Sequence, residues 1–278
     1  FERESNAVWP RADRSLHRFP RGPGPGTFLH GILEWAGGQG FARVAADPAA
    51  REDALARRLN LRGWSQWLPT LHEWFGALLT TTLPLPAPGQ TAATFRLDSL
   101  ATYQVEMEFW FAASRVDTRR LDALVSAHTL SGTHGATPRP PLDADTLNGM
   151  LKGFIDLVFE CEGRYYVADW KSNHLGPDDA AYSPEAMRLA VAEKRYDLQF
   201  ALYLLALHRL LGSRLPDYDY DRHIGGSLTV FLRGTNAEGH GVYAERPPRE
   251  LIEAMDALFR GHDHTAAERA PTDTETPA

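Results

Sequence analysis

Apolar residues recur along this chain with two periods, and the switches between them mark out its elements. Phe28, Leu29, Ile32 and Leu33 follow three- and four-residue steps that predict a helix over 27–36, with Thr27 as its cap and Gly37 and Gly38 as its stop. Helical spacing returns at 51–61, 65–80, 119–128 and 249–260; in the second of these Trp67, Leu71, Trp74 and Leu78 line one face and read as core. Ser183 and Pro184 open a further helical pattern that runs to Leu211, with a break near Lys194 and Gly212 as its stop. Alternation marks a strand at 103–112, with Glu106 and Glu108 on one face and Val105, Met107 and Phe109 on the other. Segments 154–160 and 164–170 are rich in β-formers and flank Glu162 and Gly163, and 227–232 is a further short strand. Residues 83–90 and 131–141 read as loops, and 212–226, bearing Asp217, Asp219 and Asp221, as an acidic surface loop. Residues 1–26 are rich in Pro, Gly and Arg and read as a linker or N-terminal extension, 27–261 as one domain, and 262–278 as a disordered polar tail. This order predicts an α/β domain with a mixed central sheet flanked by helices.

The hairpin carries the chemistry. A two-residue turn at 162 and 163 pairs Cys161 with Arg164, and counting outward sets Asp156 opposite Asp169. Directly opposed residues lie about 5 Å apart at Cβ, and Lys171 shares the face of Asp169 because side chains alternate. Two carboxylates and an ammonium therefore converge beside Val158 and Val167. Carboxylates this close repel unless a cation or a proton lies between them. The pair reads as a metal site or as a solvated strand end. A three-residue bulged turn would slip the register and carry one carboxylate to the other face.

Composition narrows the classes. The chain of 278 residues is long enough to bury a substantial core. It has no apolar run of about 18 residues and no signal-peptide pattern, so a cytoplasmic protein without membrane partners is expected. Its first residue is Phe, which suggests processing or a fragment of a longer protein. A single cysteine, Cys161, excludes an internal disulfide framework and a four-cysteine zinc or iron–sulfur site. The net charge of −7 argues against a surface adapted throughout to nucleic acid, while leaving room for a local basic groove. Of 29 basic residues only Lys152, Lys171 and Lys194 are lysine, so the lysine beside Asp169 reads either as a need for a compact amine or as chance among so few.

Distant residues supply further candidates. His30 lies on the first helix with Glu34 one turn later; an imidazole suits a mixed His/Asp site, although Mg²⁺ favours oxygen, and a surface histidine is the plainer reading. Glu106 and Glu108 could each flank a metal or simply line a polar strand face. Tyr196 and Gln199, followed by Tyr203, share a helix face that could meet phosphate or bases, or only pack. The glycines at 22–26 lack the Lys-Ser/Thr of a nucleotide P-loop, and no Gly-x-Ser-x-Gly elbow occurs.

Six segments in order complete the pattern: Gly26-Thr-Phe-Leu-His30, Glu106-Met-Glu-Phe109, Gly153-Phe-Ile-Asp156-Leu-Val, Asp169-Trp-Lys171-Ser-Asn173, Tyr196-Asp-Leu-Gln199 and Gly225-Gly-Ser-Leu-Thr-Val-Phe-Leu-Arg-Gly234. In these the chain resembles the RecB-type nuclease domains of the PD-(D/E)XK superfamily, over about residues 19–260. The resemblance implies a restriction-endonuclease-like core. It implies His30, Asp156 and Asp169 as metal ligands together with the backbone carbonyl of Trp170, and Lys171 as the active-site lysine. It favours Glu106 over Glu108, and makes Tyr196 and Gln199 the helix motif that supports the site or contacts DNA. The implied cofactor is Mg²⁺, with Mn²⁺ as a substitute, and no iron–sulfur cluster. The implied activity is a deoxyribonuclease of exodeoxyribonuclease V type acting on linear, chiefly single-stranded DNA in double-strand-break repair and recombination. RecC, RecD, the RecB helicase region and RecA are the implied partners; this chain has no Walker motif of its own. The competing expectation is a nuclease-like docking module for RecA or partner subunits, with weak or no cleavage.

Overall fold

Helical and strand segments alternate along the chain after an all-helical start, and a computed structural model describes residues 15–86, 93–130 and 137–261. Four helices come first: α1 (Pro23–Gln39), α2 (Phe41–Ala46), α3 (Pro48–Asn60) and α4 (Leu68–Thr80). A small ribbon of β1 (Leu83–Pro84) and β2 (Thr94–Phe95) leads into the long strand β3 (Tyr103–Asp117) and helix α5 (Thr118–His128). The hairpin of β4 (Thr146–Cys161) and β5 (Arg164–Lys171) follows, then α6 (Pro184–Glu193), α7 (Tyr196–Arg214), α8 (Tyr220–His223), β6 (Ile224–Phe231), β7 (Val242–Glu245) and α9 (Arg249–Phe259). No described helix is long and apolar enough to cross a membrane.

Strands β3 to β7 form one sheet in chain order. Neighbours are antiparallel except β5 and β6, which are parallel and joined through α6, α7 and α8, as a parallel pair requires a crossover. Helices cover both faces. Leu157, Phe159, Tyr166, Ala168, Trp170, Leu228 and Val230 pack with the residues of α1 to α4. Val158, Val167, Ile224 and Phe231 pack with those of α5, α6, α7 and α9 on the other face. Cover on both faces explains why β6 is buried along its whole length, Ser227 and Thr229 included. The expected mixed sheet between helical layers is therefore present.

Several elements differ from their sequence reading. Helix α1 begins at Pro23 rather than Thr27, because proline is preset for a helix's first turn. Ahead of it Leu16 and Phe19 are buried, so residues 15–26 belong to the folded body rather than to a linker. The break before α7 falls at Lys194 and Arg195 as expected, but the helix passes through Gly212 to Arg214. A helical glycine costs only about 1 kcal/mol, and the buried Leu211 beside it keeps the turn packed. Segment 212–226 is not a loose acidic loop. It holds α8 and the start of β6, buries Tyr220, and pairs Asp219 and Asp221 with Arg249 and Arg246. The six-residue α2 and the short β7 were too brief to leave a periodic signal. Parts of the loops expected at 83–90 and 131–141, and the tail at 262–278, lie outside the described residues.

One departure bears on the site. Val105, Met107 and Phe109 do not share a face: Val105 packs with α1 to α4, whereas Met107 and Phe109 pack with α7 and α9. Glu106 between them has φ +47°, which reverses the alternation at that residue. On β4 the same reversal separates Ile155 from Leu157, with Asp156 between them.

Candidate active site

The hairpin turn is built by Glu162 (φ +51°) and Gly163 (φ +77°), the two positive angles that a mirror-type two-residue turn needs. It pairs Cys161 with Arg164, and the ladder proceeds through Val158–Val167 to Leu157–Ala168. The next positions along it are Asp156 and Asp169, as the sequence register requires. The backbone amide of Trp170 donates to Oδ2 of Asp156 at 2.7 Å, tying the two strand ends together. The Trp170 indole is buried among the residues of the first four helices.

Lys171 is held from several sides. Its ammonium is ion-paired with Oδ2 of Asp169, donates to Oε1 of Gln199 at 2.7 Å and lies 4.0 Å from the centre of the Tyr196 ring. The Gln199 amide nitrogen donates to Oδ1 of Asp169 (3.2 Å) and to the Tyr203 hydroxyl (2.7 Å), so one side chain spans acid and base. Tyr196 donates to Oδ1 of Asn173 at 3.1 Å. Residues 196, 199 and 203 share one face of α7. The adjacent Asp197 is fully buried and held by Arg139 (2.6 Å) and Arg195 (3.1 Å), which anchors the helix start and fixes the direction of that face.

From the other layer, α1 brings Nδ1 of His30 to 3.5 Å from Oδ1 of Asp156. This approach depends on Gly26, where a Cβ would stand 2.9 Å from Oγ of Ser172, the residue after Lys171. Arg233 holds the same junction. Its buried guanidinium donates to the carbonyls of Leu16 (2.6 Å), Phe19 (2.8 Å), Pro20 (2.7 Å) and Ser172 (3.0 Å). The segment leading into α1 and the end of β5 are thus joined through one side chain.

The carboxylates repel one another. Burial pushes the Asp169 carboxyl up to about 6, with Lys171 pulling it down and Asp156 pushing it further up. Glu106 is likewise raised by burial, then by Asp156 and by Glu34 on α1. Burial works against a charged His30, but the hydrogen bond and field of Asp156, followed by the field of Asp169, outweigh it and raise its pKa. Glu108 does not take part. It is exposed, ion-paired with Lys152 at 3.0 Å and bonded to the Trp110 indole, so the structure separates two glutamates that spacing could not.

His30, Asp156, Asp169, Lys171, Tyr196 and Gln199 therefore come together, with Glu106 in the field of the acids. Among the described residues no three His, Cys, Asp or Glu side chains converge as a ready-made metal cage. The donor set nevertheless suits a hard divalent cation: it is rich in carboxylate oxygen, with one imidazole, and its acids are destabilised by mutual repulsion that a cation would relieve. Sequence reasoning missed Arg233, Asn173 and Asp197 as supports. All three sit within segments already singled out, but only the fold shows what they hold.

Comparison with known proteins places the chain in a family. A family model for the PD-(D/E)XK nuclease superfamily matches residues 9–276. The RecB subunit of the RecBCD enzyme from Escherichia coli K12 is 43% identical over 256 residues, covering 88% of this chain and 20% of that protein. The RecB subunit from Haemophilus influenzae is 34% identical over 92% of this chain and 20% of its own length. That from Mycobacterium tuberculosis H37Rv is 31% identical over 88% of this chain and 24% of its own. The chain thus spans about a fifth to a quarter of the length of these relatives.

Proposed function

The chain belongs to the PD-(D/E)XK nuclease superfamily and is homologous to the nuclease region of RecB, and from that premise we propose that it is a Mg²⁺-dependent deoxyribonuclease that hydrolyses linear, chiefly single-stranded DNA. The observation that carries the reading is that Asp156 and Asp169, the positions just beyond the last Leu157–Ala168 pair of the hairpin, are tied together by the Trp170 amide beside a Lys171 that Gln199 braces.

Asp156, Asp169, His30 and the Trp170 carbonyl are the proposed holders of the ion, with Glu106 as the further acid. The bound ion, Mg²⁺ or Mn²⁺, supplies Lewis-acid polarisation of the phosphate and a lowered pKa for attacking water. Lys171 orients that water and offsets the charge that develops at phosphorus. Gln199 keeps the Lys171 ammonium and the Asp169 carboxylate in fixed relation, and the Tyr196 ring supports the ammonium from beneath. Both side chains are engaged within the protein, which favours support of the site as their main role. His30 stands 3.5 Å from Oδ1 of Asp156, in place to share the ion with it.

By its likeness to RecB, the proposed setting is a cytoplasmic helicase–nuclease for double-strand-break repair, with RecC, RecD and a helicase region as partners and RecA as a further contact. The test is degradation of an end-labelled linear single strand. Wild type should cleave with Mg²⁺ and not with a chelator, and Lys171→Ala should abolish cleavage while retaining the fold. A wild-type chain that binds metal but cleaves nothing would favour a docking role instead.

A further inference from the structure

Beyond Glu106 and Asp156 the β3–β4 ladder continues as a two-stranded ribbon, paired from Met107–Ile155 out to Asp117–Thr146. The pairing of β5 with β4 ends before it, at Leu157–Ala168. One face of the ribbon sends Met107, Phe111 and Ile155 into the core. The other carries Trp110 and Glu108 on β3 and Met150, Lys152 and Phe154 on β4, all exposed: Trp110 by 56%, Met150 by 61% and Phe154 by 44%. The Lys152 ammonium lies 4.7 Å from the Trp110 ring centre and 5.1 Å from that of Phe154. Glu108 accepts from both Lys152 and the Trp110 indole. These side chains order one another without being buried, and exposed rings on a soluble domain call for a ligand.

We propose that this ribbon face is a base-stacking track that guides single-stranded DNA to the active site. The inference rests on reading that site as a nuclease. Its position is fixed by the ladder: Phe154 is two residues from Asp156, and Lys152, paired with Trp110, is four. Alternate residues advance ~6.6 Å along a strand, so Phe154 and the Trp110–Lys152 pair lie one and two such steps along the ladder from the point where the strands exchange faces at Glu106 and Asp156. A stretched single strand moves in steps of similar length. The chemistry also fits one occupant. Aromatic faces interleaved with a cation accept any base by stacking while the cation meets the backbone. Lys152 is one of only three lysines, and exposed Arg115 and Arg119 lie at the ribbon's far end, on a chain whose net charge is −7. Flat exposed rings interleaved with the Lys152 ammonium suit a strand of planar bases on a phosphate backbone better than an apolar helix or a lipid surface.

The experiment uses the whole chain and fluorescein-labelled oligo(dT) in chelator, where binding is read by anisotropy without cleavage. Trp110→Leu with Phe154→Leu keeps apolar area but removes both π-faces; Trp110→Phe with Phe154→Tyr restores them. The leucine pair should weaken binding about tenfold per ring, and the aromatic pair should recover most of it. With Mg²⁺, the leucine pair should raise KM for a long strand, while kcat and hydrolysis of bis(p-nitrophenyl) phosphate stay at wild-type levels. Equal affinity of wild type and the leucine pair, or no oligo(dT) binding by wild type, overturns the proposal; a protein-docking face would leave DNA affinity untouched in this way. If wild type hydrolyses nothing, the nuclease reading fails separately, and the anisotropy comparison still decides the track.

Discussion

Glu106 and Asp156 face each other between the Val105–Leu157 and Met107–Ile155 pairs, at the one point where both strands exchange their faces. The left-handed backbone at Glu106 (φ +47°) is what an L-residue rarely adopts, and such strain costs about 1–2 kcal/mol. It turns a glutamate on an otherwise alternating strand toward the acids of the site.

Strain and chemistry at this residue should separate by mutation. Glu106→Ala and Glu106→Gly both remove the carboxylate and should both lose most cleavage. The glycine variant should be the more stable of the two by about 1 kcal/mol, because only glycine accepts the angle without penalty. Urea midpoints of the two variants check this, and equal midpoints would remove the case for strain.

Gln199 is a positioning residue, since it touches Lys171 and Asp169 rather than substrate. Gln199→Leu, of similar volume, should lower kcat about 10–100-fold and change the pH–rate profile, because Lys171 and Asp169 lose their common partner. Gln199→Glu should not rescue it, as it cannot donate to Asp169 when ionised. A Leu variant with lower kcat but an unaltered pH profile would mean that Gln199 acts only through packing.

Arg233 is buried with five carbonyls as partners, His17 at 3.5 Å being the longest, and burial lowers its pKa. Arg233→Lys cannot reproduce the planar fork, so carbonyls are left unpaired at about 1–3 kcal/mol each. A loss of about 3 kcal/mol in unfolding free energy is expected, measured by chemical denaturation, together with weaker activity as α1 loosens from β5.

Glu245 provides a pH test away from the site. Burial raises its pKa, while hydrogen bonds from Tyr243 (2.5 Å) and the Leu130 amide (2.8 Å) pull it down. A carboxyl raised on folding holds more protons in the native than in the unfolded state. Its contribution to stability is therefore complete below its ordinary value near 4.5 and is lost as pH rises through the folded pKa. Glu245→Gln removes that dependence. Relative to wild type it should gain stability as pH rises above about 4.5, and urea midpoints that stay parallel as pH rises would contradict this.

Much of this was legible in the chain. Glu162 and Gly163 fix a turn, the turn fixes the register, and the register places Asp156 against Asp169 before any coordinates are seen. The α7 face was readable from the spacing of Tyr196, Gln199 and Tyr203. What alternation could not carry was Glu106, because one positive φ cancels the period on which the argument runs. His30 was readable only by resemblance, since its approach depends on packing between layers and on the space left by Gly26. Arg233 lay within the Gly225–Gly234 segment, but its role was not readable, because nothing in a sequence distinguishes a buried guanidinium from a solvated one. The helix through Gly212 and the folded 212–226 segment were missed because tertiary packing overrode local stop signals.

The central claim is that Asp156 and Asp169 form the two halves of one cation site beside Lys171. Crystals soaked in Mn²⁺ and measured at a wavelength where manganese scatters anomalously test it most directly. The account predicts one or more anomalous peaks within coordination distance of both carboxylates, lost in Asp156→Asn. A peak bound elsewhere, or none at a concentration that supports cleavage, would contradict it.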